Sequence, residues 1–315
     1  MNVDNILWKS LLNLKETATN GNCLGWVNKK NRFNTCYTID DINDSYTALL
    51  LKKGLKINNN DLNNYKKIET SFDYVDLYVA NTISQSHLFI LKNYWPLSIL
   101  KHINFKNPFI LTHAAVSLDG YLATTNGNSR WIGNEENLIH AHRLRALFDA
   151  VLIGSNTVKN DCPSLNVRHV EGENPIRLVL SKTSRNFSNL KKISNTKTFL
   201  LRVSDIEFVD EDAIFDKIIY AKGYTKKEKL MSLIDSCKKE NITSILVEGG
   251  GATLSSFIET DLINSMQLHI APVLFGNGIK AIQLPSVNLV DEGIKLKQME
   301  LTPIGDSFMI TTTLL

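Results

Sequence analysis

The sequence predicts an α/β fold, and three observations carry that expectation. Downstream of Asn107-Pro108, short β-branched runs alternate with longer helical stretches, the pattern of a sheet with helices on its faces. Only 3 of the 16 glycines fall before residue 108, so the chain changes character there. The 315 residues, 43% hydrophobic and 21% charged, suffice for one large core or two ordinary ones without disulfide or metal staples. The expected organisation is an α+β region over residues 1–107 and an α/β domain over residues 108–315.

Upstream of the boundary, LWKSLLNL reads as an amphipathic helix, with Leu7, Trp8, Leu11, Leu12 and Leu14 on its apolar side, and DSYTALLLKKGL as a second helix stopping at Gly54. YVDLYVA and SHLFILKNYW fit short strands, or a strand and a helix. The asparagines between Asn58 and Asn64 read as a surface loop. Downstream, the expected strands are PFILTHAAV, DAVLIGS, IRLVLS, KTFLLRV, KIIYA, ITSILVEGG, MQLHIAPVLFG and DSFMITTTLL. Between them, NEENLIHAHRLRALF starts as a helix at an Asn134 cap, KKEKLMSLIDSCKKEN forms another, and ATLSSFIETDLI follows three glycines.

Charge and cysteine usage exclude several function classes. Residues 1–107 hold 13 basic and 9 acidic residues and the remainder 22 and 23, so neither part has the polycationic surface of a nucleic-acid or membrane binder. Cys23, Cys36, Cys162 and Cys237 are scattered, with no C-x-x-C and no histidine at ligand spacing. No metal site is expected, and the thiols are read as reduced and mostly buried. No apolar run is of membrane-spanning length, and the N-terminus lacks the basic start and apolar centre of a secretory signal. A cytoplasmic location is the expectation.

Three segments carry candidate chemistry. In ILVEGGGATLSSF a buried strand runs through Gly249, Gly250 and Gly251 into a helix start, where unpaired backbone N–H groups suit an anion. Glycine there permits φ > 0 and close approach of a phosphate; a tight turn with no ligand is the competing reading. Neither G-x-G-x-x-G nor G-x-x-x-x-G-K-[ST] occurs. SLDGYLATTNGNSRW combines an Asp119-Gly120 turn with a polar loop closing on Trp131, which serves equally as a core aromatic. In HRLRALFDAVLIGSNTVKNDCPSLNVR, Arg145 and Arg168 match phosphate oxygens by their guanidinium forks, or are solvated.

In this order and spacing, AAVSLDGYLAT, NGNSRWIG, HRLRALFDAVLIGSNTV, KNDCPSLNVR, PIRLVL, ILVEGGGATL and LHIAPVLFG resemble the reductase domain of bifunctional riboflavin-biosynthesis enzymes. The resemblance covers residues 108–315. It implies a dihydrofolate reductase-like fold with a mixed, mostly parallel sheet flanked by helices. It implies, too, NADPH-dependent reduction of a phosphorylated ribosylamino-pyrimidine to its ribityl form, by a homodimer. Carried over, the substrate meets His113, Ser129, Arg145, Leu165, Arg168 and Glu248. The cofactor meets Ala115, Asp119, Trp131, Thr157, Asp161 and the turn of Gly250, Gly251, Ala252, Thr253, Leu254, Ser255 and Ser256. Lys182 and Arg185 accept a 2′-phosphate in this reading, or are solvated.

Two departures qualify the resemblance. His113 stands where bacterial members commonly carry lysine, replacing a cation by a weaker, pH-dependent one. Residues 1–107 contain neither H-x-E nor P-C-x-x-C, so the zinc deaminase that usually precedes the reductase is not expected there, and the role of that region is open. A reductase of another heterocyclic or pterin-like substrate, and a non-catalytic nucleotide-binding protein, are the rival readings.

Overall fold

Each of the two compact units, Met1–Asn104 and Phe105–Leu315, is organised around its own large sheet. The computed structural model describes residues 3–16, 23–28, 33–34, 46–53, 65–81, 83–129, 132–161, 163–182, 187, 190, 196–204 and 214–314. Cys36 and Cys162 lie outside these residues. Cys237 is buried, and burial raises its thiol pKa to about 12, as expected of an inert core thiol. Among the described residues no helix is long and apolar enough to cross a membrane, and no cluster of His, Cys, Asp and Glu is suited to a metal ion.

The first unit pairs helices α1 (Val3–Glu16) and α2 (Gln85–Ser98) with strands β1 (Cys23–Asn28), β2 (Phe33–Asn34), β3 (Tyr46–Lys52), β4 (Tyr65–Ile68) and β5 (Val75–Ala80). The strands form an antiparallel sheet in the order β2-β1-β3-β5-β4. YVDLYVA is a strand and SHLFILKNYW a helix. DSYTALLLKKGL, expected as a helix, instead supplies the central strand β3. Ala48, Leu49, Leu50 and Leu51 are all buried because the strand is covered on both faces. Such a strand is a continuous apolar run whose periodicity matches a helix as well as a strand.

The second unit contains strands β6 (Phe109–Ser117), β7 (Tyr121–Ala123), β8 (Ala150–Gly154), β9 (Ile176–Ser181), β10 (Thr198–Arg202), β11 (Lys217–Tyr220), β12 (Ser244–Val247), β13 (Ser265–Ala271), β14 (Ile279–Lys280), β15 (Leu296–Ile304) and β16 (Ser307–Leu314). Its helices are α3 (Glu135–Leu147), α4 (Ser155–Asp161), α5 (Lys226–Lys239) and α6 (Gly251–Glu259). The nine-stranded sheet runs β11-β10-β9-β8-β12-β6-β13-β16-β15. It is parallel from β11 to β13 and antiparallel at its last two strands. A small β7-β14 ribbon stands apart. The α/β expectation holds, as does the mostly parallel sheet with helical flanks. The sequence reading lacked β15, whose burial pattern is largely exposed and whose LKQMEL start carries no clean alternation.

Two caps fix helices that matter later. Asn134 Oδ1 accepts the Asn137 N–H at 2.8 Å and starts α3, while Asn134 Nδ2 donates to Ile304 O and Asp306 Oδ1, both at 2.8 Å, in the β15–β16 turn. Thr225 and Glu228 form a reciprocal capping box at α5. The core beneath α5 and α6 packs Leu233, Ile234, Leu254 and Phe257 against Ile110, Leu152, Ile245 and Val247 of the sheet.

One face of β6 and β13 is polar. His113 sits opposite Gln267 in the parallel register, and His269 follows two residues later on the same face. Asn137 and His140 of α3 reach the same cluster: His140 Nε2 lies 3.0 Å from Gln267 Oε1, and the His113 and His140 rings meet edge to face at 5.3 Å. Both ring nitrogens of His269 are buried without a partner among the described residues.

Burial lowers the pKa of His113 and His140, and takes those of His142 and His269 down to about 4. The unfolded chain therefore binds more protons than the native one between the folded values and about 6.5. The stability contributed by neutral burial is complete above that pH and is lost as pH falls toward 4, by up to about 1.4 kcal/mol per pH unit for each group. Chemical denaturation from pH 7.5 to 4.5 should show this loss, and His269→Gln should flatten the slope; an unaltered slope would remove His269 from the effect.

Candidate active site

The parallel strands deliver their carboxyl ends to one cleft of about 1630 Å³, well above the roughly 300–1,000 Å³ typical of a small-ligand pocket. Sites in open parallel sheets lie at these ends, where neighbouring connections leave in opposite directions and open a crevice. Here β12 returns between β8 and β6, which places Gly154, Glu248 and the glycine turn side by side on the cleft wall.

Glu248 is the first residue beyond β12, and its N–H donates to Leu152 O of β8 at 2.9 Å, so the sheet ladder fixes the carboxylate's base. Arg145, in the last turn of α3, meets it along two parallel bonds: Nε to Oε1 at 2.9 Å and Nη2 to Oε2 at 2.6 Å. The side chains are only 14% and 11% exposed, which makes this a buried pair rather than a surface contact. Burial works against the charge of Glu248, but Arg145 more than offsets it and leaves the carboxyl below its ordinary pKa. Arg145 is likewise disfavoured by burial and held charged by Glu248. The pair is ionised, and Glu248 is an acceptor in the cleft rather than an acid.

The glycine turn achieves close approach without unusual backbone. None of its three residues has positive φ, and Gly250 caps α6 at φ −67°, ψ 171°. The anticipated left-handed conformation is therefore absent. A Cβ on Gly249 would sit 2.5 Å from Thr253 Cβ, and one on Gly251 would sit 2.2 Å from Lys280 O. Gly250 has an ordinary neighbour, Thr157 Oγ1, at 3.6 Å. No side chain caps α6, so its first turn presents N–H groups to the cleft beside Gly250, Gly251 and Ala252. Together with the helix dipole this suits a diphosphate.

The cleft gathers most of the residues expected to act. His113, Ser129, Arg145 and Glu248 line it, as do Ala115, Thr157, Asp161, Gly250, Gly251, Ala252, Thr253 and Ser256. Partial burial raises the Asp161 pKa. His113 differs from its expectation: it is buried and its pKa lowered, so it is a neutral imidazole rather than a weak cation.

Other expected residues stand elsewhere. Asp119 accepts from Ser117 Oγ at 2.6 Å and from the N–H groups of Phe275 and Gly276 at 3.2 and 2.7 Å, so it clamps two loops. Leu254 packs into the core, and Ser255 Oγ bridges Gly251 O and the Gln283 N–H because the helix turns their side chains inward. Leu165 is buried at φ +56°, and the exposed Arg168 bonds Asn166 Oδ1 at 2.9 Å, away from the cleft wall. Their segment still reaches Arg145, whose Nη1 donates to Asn166 O at 3.4 Å. Trp131 and Arg185 lie outside the described residues. Tyr224, Lys226 and Lys229, at the start of α5, line the far end of the cleft beside Lys182. Their position at a parallel strand's carboxyl end was the signal for them.

Removing Glu248 leaves a guanidinium buried without its counter-charge. Glu248→Ala should cost about 3–5 kcal/mol of stability, and Arg145→Met in the same chain should restore much of it. Urea unfolding of the two variants checks this, and equal losses in both would show that the pair is not coupled.

The profile of the RibD C-terminal domain matches residues 108–310. Among curated proteins, the riboflavin biosynthesis protein RibD of Aquifex aeolicus is 30% identical over 213 residues, covering 66% of this chain and 58% of that protein. The 2,5-diamino-6-ribosylamino-4(3H)-pyrimidinone 5′-phosphate reductase of Methanothermobacter thermautotrophicus is 29% identical over 215 residues, covering 65% of this chain and 98% of that protein. The chain thus matches less than two thirds of the length of the RibD relatives but nearly all of the archaeal one. The crystal structure of a deaminase/reductase from Thermotoga maritima superposes with a TM-score of 0.55 at 23% identity, over 73% of this chain and 62% of that one. A RibD structure from Acinetobacter baumannii gives 0.58 at 21%, over 75% and 70%. These likenesses carry the dihydrofolate reductase-like fold, and with the profile match over most of its length the chain belongs to the RibD C-terminal domain family.

Proposed function

We propose that residues 108–315 are an NADPH-dependent reductase that converts 5-amino-6-(5-phosphoribosylamino)uracil to its ribityl form in the cytoplasm. Residues 1–107 are in this reading a separate domain without the deaminase chemistry. The observation that carries the proposal is the uncapped start of α6 opening onto the same cleft as the buried Arg145–Glu248 pair. One feature suits a dinucleotide's diphosphate; the other suits a polyhydroxyl substrate beside it.

The residues present fit a dinucleotide, because the uncapped first turn of α6 opens on the cleft at Gly250, where a Cβ would meet only Thr157 Oγ1 at 3.6 Å. The first turn of α6, with Thr157, Thr253 and Ser256, holds the diphosphate, and Lys182 with Lys226 and Lys229 meets a 2′-phosphate. When bound, a nicotinamide would supply the hydride for the ribosyl-to-ribityl reduction, in which C1′ gains hydrogen and the ring oxygen O4′, released from C1′, gains a proton. Glu248 accepts from sugar hydroxyls, and Arg145 holds it in the ionised, oriented form. The exposed Arg168 takes the ribose phosphate from the margin of the site. The protein's share is alignment and exclusion of water.

A second substrate reading keeps the reaction and retains the 2-amino group on the pyrimidine. It is favoured by the archaeal reductase, of which this chain matches almost the full length. Turnover of both pyrimidines in parallel separates the two.

A homodimer is part of the proposal. On the sheet face away from α3, Leu268 and Ile270 of β13, Ile310 and Phe308 of β16, and Leu301 of β15 align across the register; Phe308 is 47% and Leu301 60% exposed. A contiguous apolar surface of this kind suits a second copy.

Three outcomes follow. NADPH should bind in calorimetric titration, with Lys182→Ala weakening NADPH about tenfold while sparing NADH, as expected for one charge-assisted contact. Loss of both ligands from a folded chain would defeat the cofactor assignment. Arg168→Ala should raise KM by about 1.5–3 kcal/mol equivalent, and unchanged kinetics would take Arg168 out of the site. Phe308→Lys should convert a dimer to a monomer in sedimentation; a wild-type monomer would dispose of the pairing.

A further inference from the structure

Among the polar groups that line the cleft without an assigned job in the chemistry, His113 stands nearest the ion pair in sequence register, at the inner wall formed by β6. Its Nε2 lies 3.3 Å from Asn137 Oδ1, and Asn137 is itself held by the bond from its N–H to Asn134 Oδ1. An amide oxygen only accepts, so the ring proton belongs on Nε2 and Nδ1 carries the lone pair. Nδ1 has no partner among the described residues, yet it is not among the sealed, unpartnered atoms that include both nitrogens of His269, and His113 lines the cleft. Nδ1 is thus open to the site.

Burial favours the neutral form of the ring, and Arg145 on the cleft side acts in the same direction, while Glu248 and the hydrogen bond to Asn137 act in the other; His140 of α3 and His269 of β13, whose own pKa values burial lowers, stand behind it. Two acceptors, Glu248 and His113 Nδ1, therefore share one end of the cleft, with a cation that is already engaged.

We propose that His113 is a specificity-determining residue that accepts a hydrogen bond through Nδ1 from a substrate hydroxyl or amine N–H, and that Asn137 is the positioning residue that fixes its tautomer. The proposal rests on the reductase reading for its substrate, though not for its tautomer. It assigns the site to a vicinal-diol or amine donor, where a lysine would select an acceptor or an anion.

The test uses the full chain labelled with 15N-histidine. Long-range 15N–1H spectra should show His113 with the proton on Nε2 and no imidazolium from pH 6 to 8. A proton on Nδ1, or an imidazolium at pH 7, overturns the proposal whether or not the protein turns over. With 5-amino-6-(5-phosphoribosylamino)uracil, His113→Asn, whose Oδ1 replaces Nδ1, should keep KM within about threefold, whereas His113→Gln should raise KM about tenfold with kcat little changed, as for loss of one neutral hydrogen bond. Equal KM for the two variants overturns it. Asn137→Asp should favour the imidazolium, adding to KM a rise at low pH that disappears at high pH; a flat profile removes Asn137 from the positioning role. NADPH titration of the same samples separates failure of this proposal from failure of the reductase reading, since absent dinucleotide binding defeats only the latter.

Discussion

Glu248 stays ionised inside the protein because Arg145 reaches it with two bonds, and the rest of the site is arranged around that fact. The carboxylate's backbone is fixed by the ladder between β12 and β8, and the guanidinium by the last turn of α3, so the pair ties the helix end to the sheet. A buried pair of this kind adds little net stability over an apolar replacement, since desolvation opposes the attraction. What it provides is a charged acceptor of fixed orientation next to the glycine turn. The nearby histidines are held neutral chiefly by the exclusion of water, with Arg145 acting in the same direction.

The glycine turn follows directly on Glu248 at the end of β12, and there the constraint is steric. Gly154, Gly249 and Gly251 are small because Thr253 and the carbonyl of Lys280 occupy the space a side chain would need. Close packing of α6 onto the strand ends brings its first turn up to the cleft, which is why an ordinary backbone conformation suffices there.

Much of this was legible in the sequence where local rules act alone. Asn134 announced α3, the glycine run announced α6, and the β-branched runs marked nearly every parallel strand, because such strands are buried on both faces. The same property concealed β3, whose apolar run satisfies both periods. Distant partners decided the remainder. Asp119 looks like a turn residue with a free carboxylate until the N–H groups of Phe275 and Gly276, some 156 residues on, are seen to occupy it. Leu254 and Ser255 share a motif with cleft residues, and only the helical rotation separates them. The neutrality of His113 comes from burial, and its tautomer from Asn137, 24 residues away; sequence spacing shows neither.

The cap of α3 has an implication for how the chain reaches its native state. Asn134 is anchored to Ile304 O and Asp306 across 170 and 172 residues, and β6 finds its neighbours only after β12 and β13 have been synthesised. The helix bearing Arg145 therefore emerges from the ribosome long before its anchor exists. Contacts of such separation slow folding, because a long loop must close before any of them forms. A nascent chain arrested before residue 304 would carry the residues that line the cleft and still lack the hairpin turn that secures one of its walls, so the site is not complete until residues 304–306 have been made.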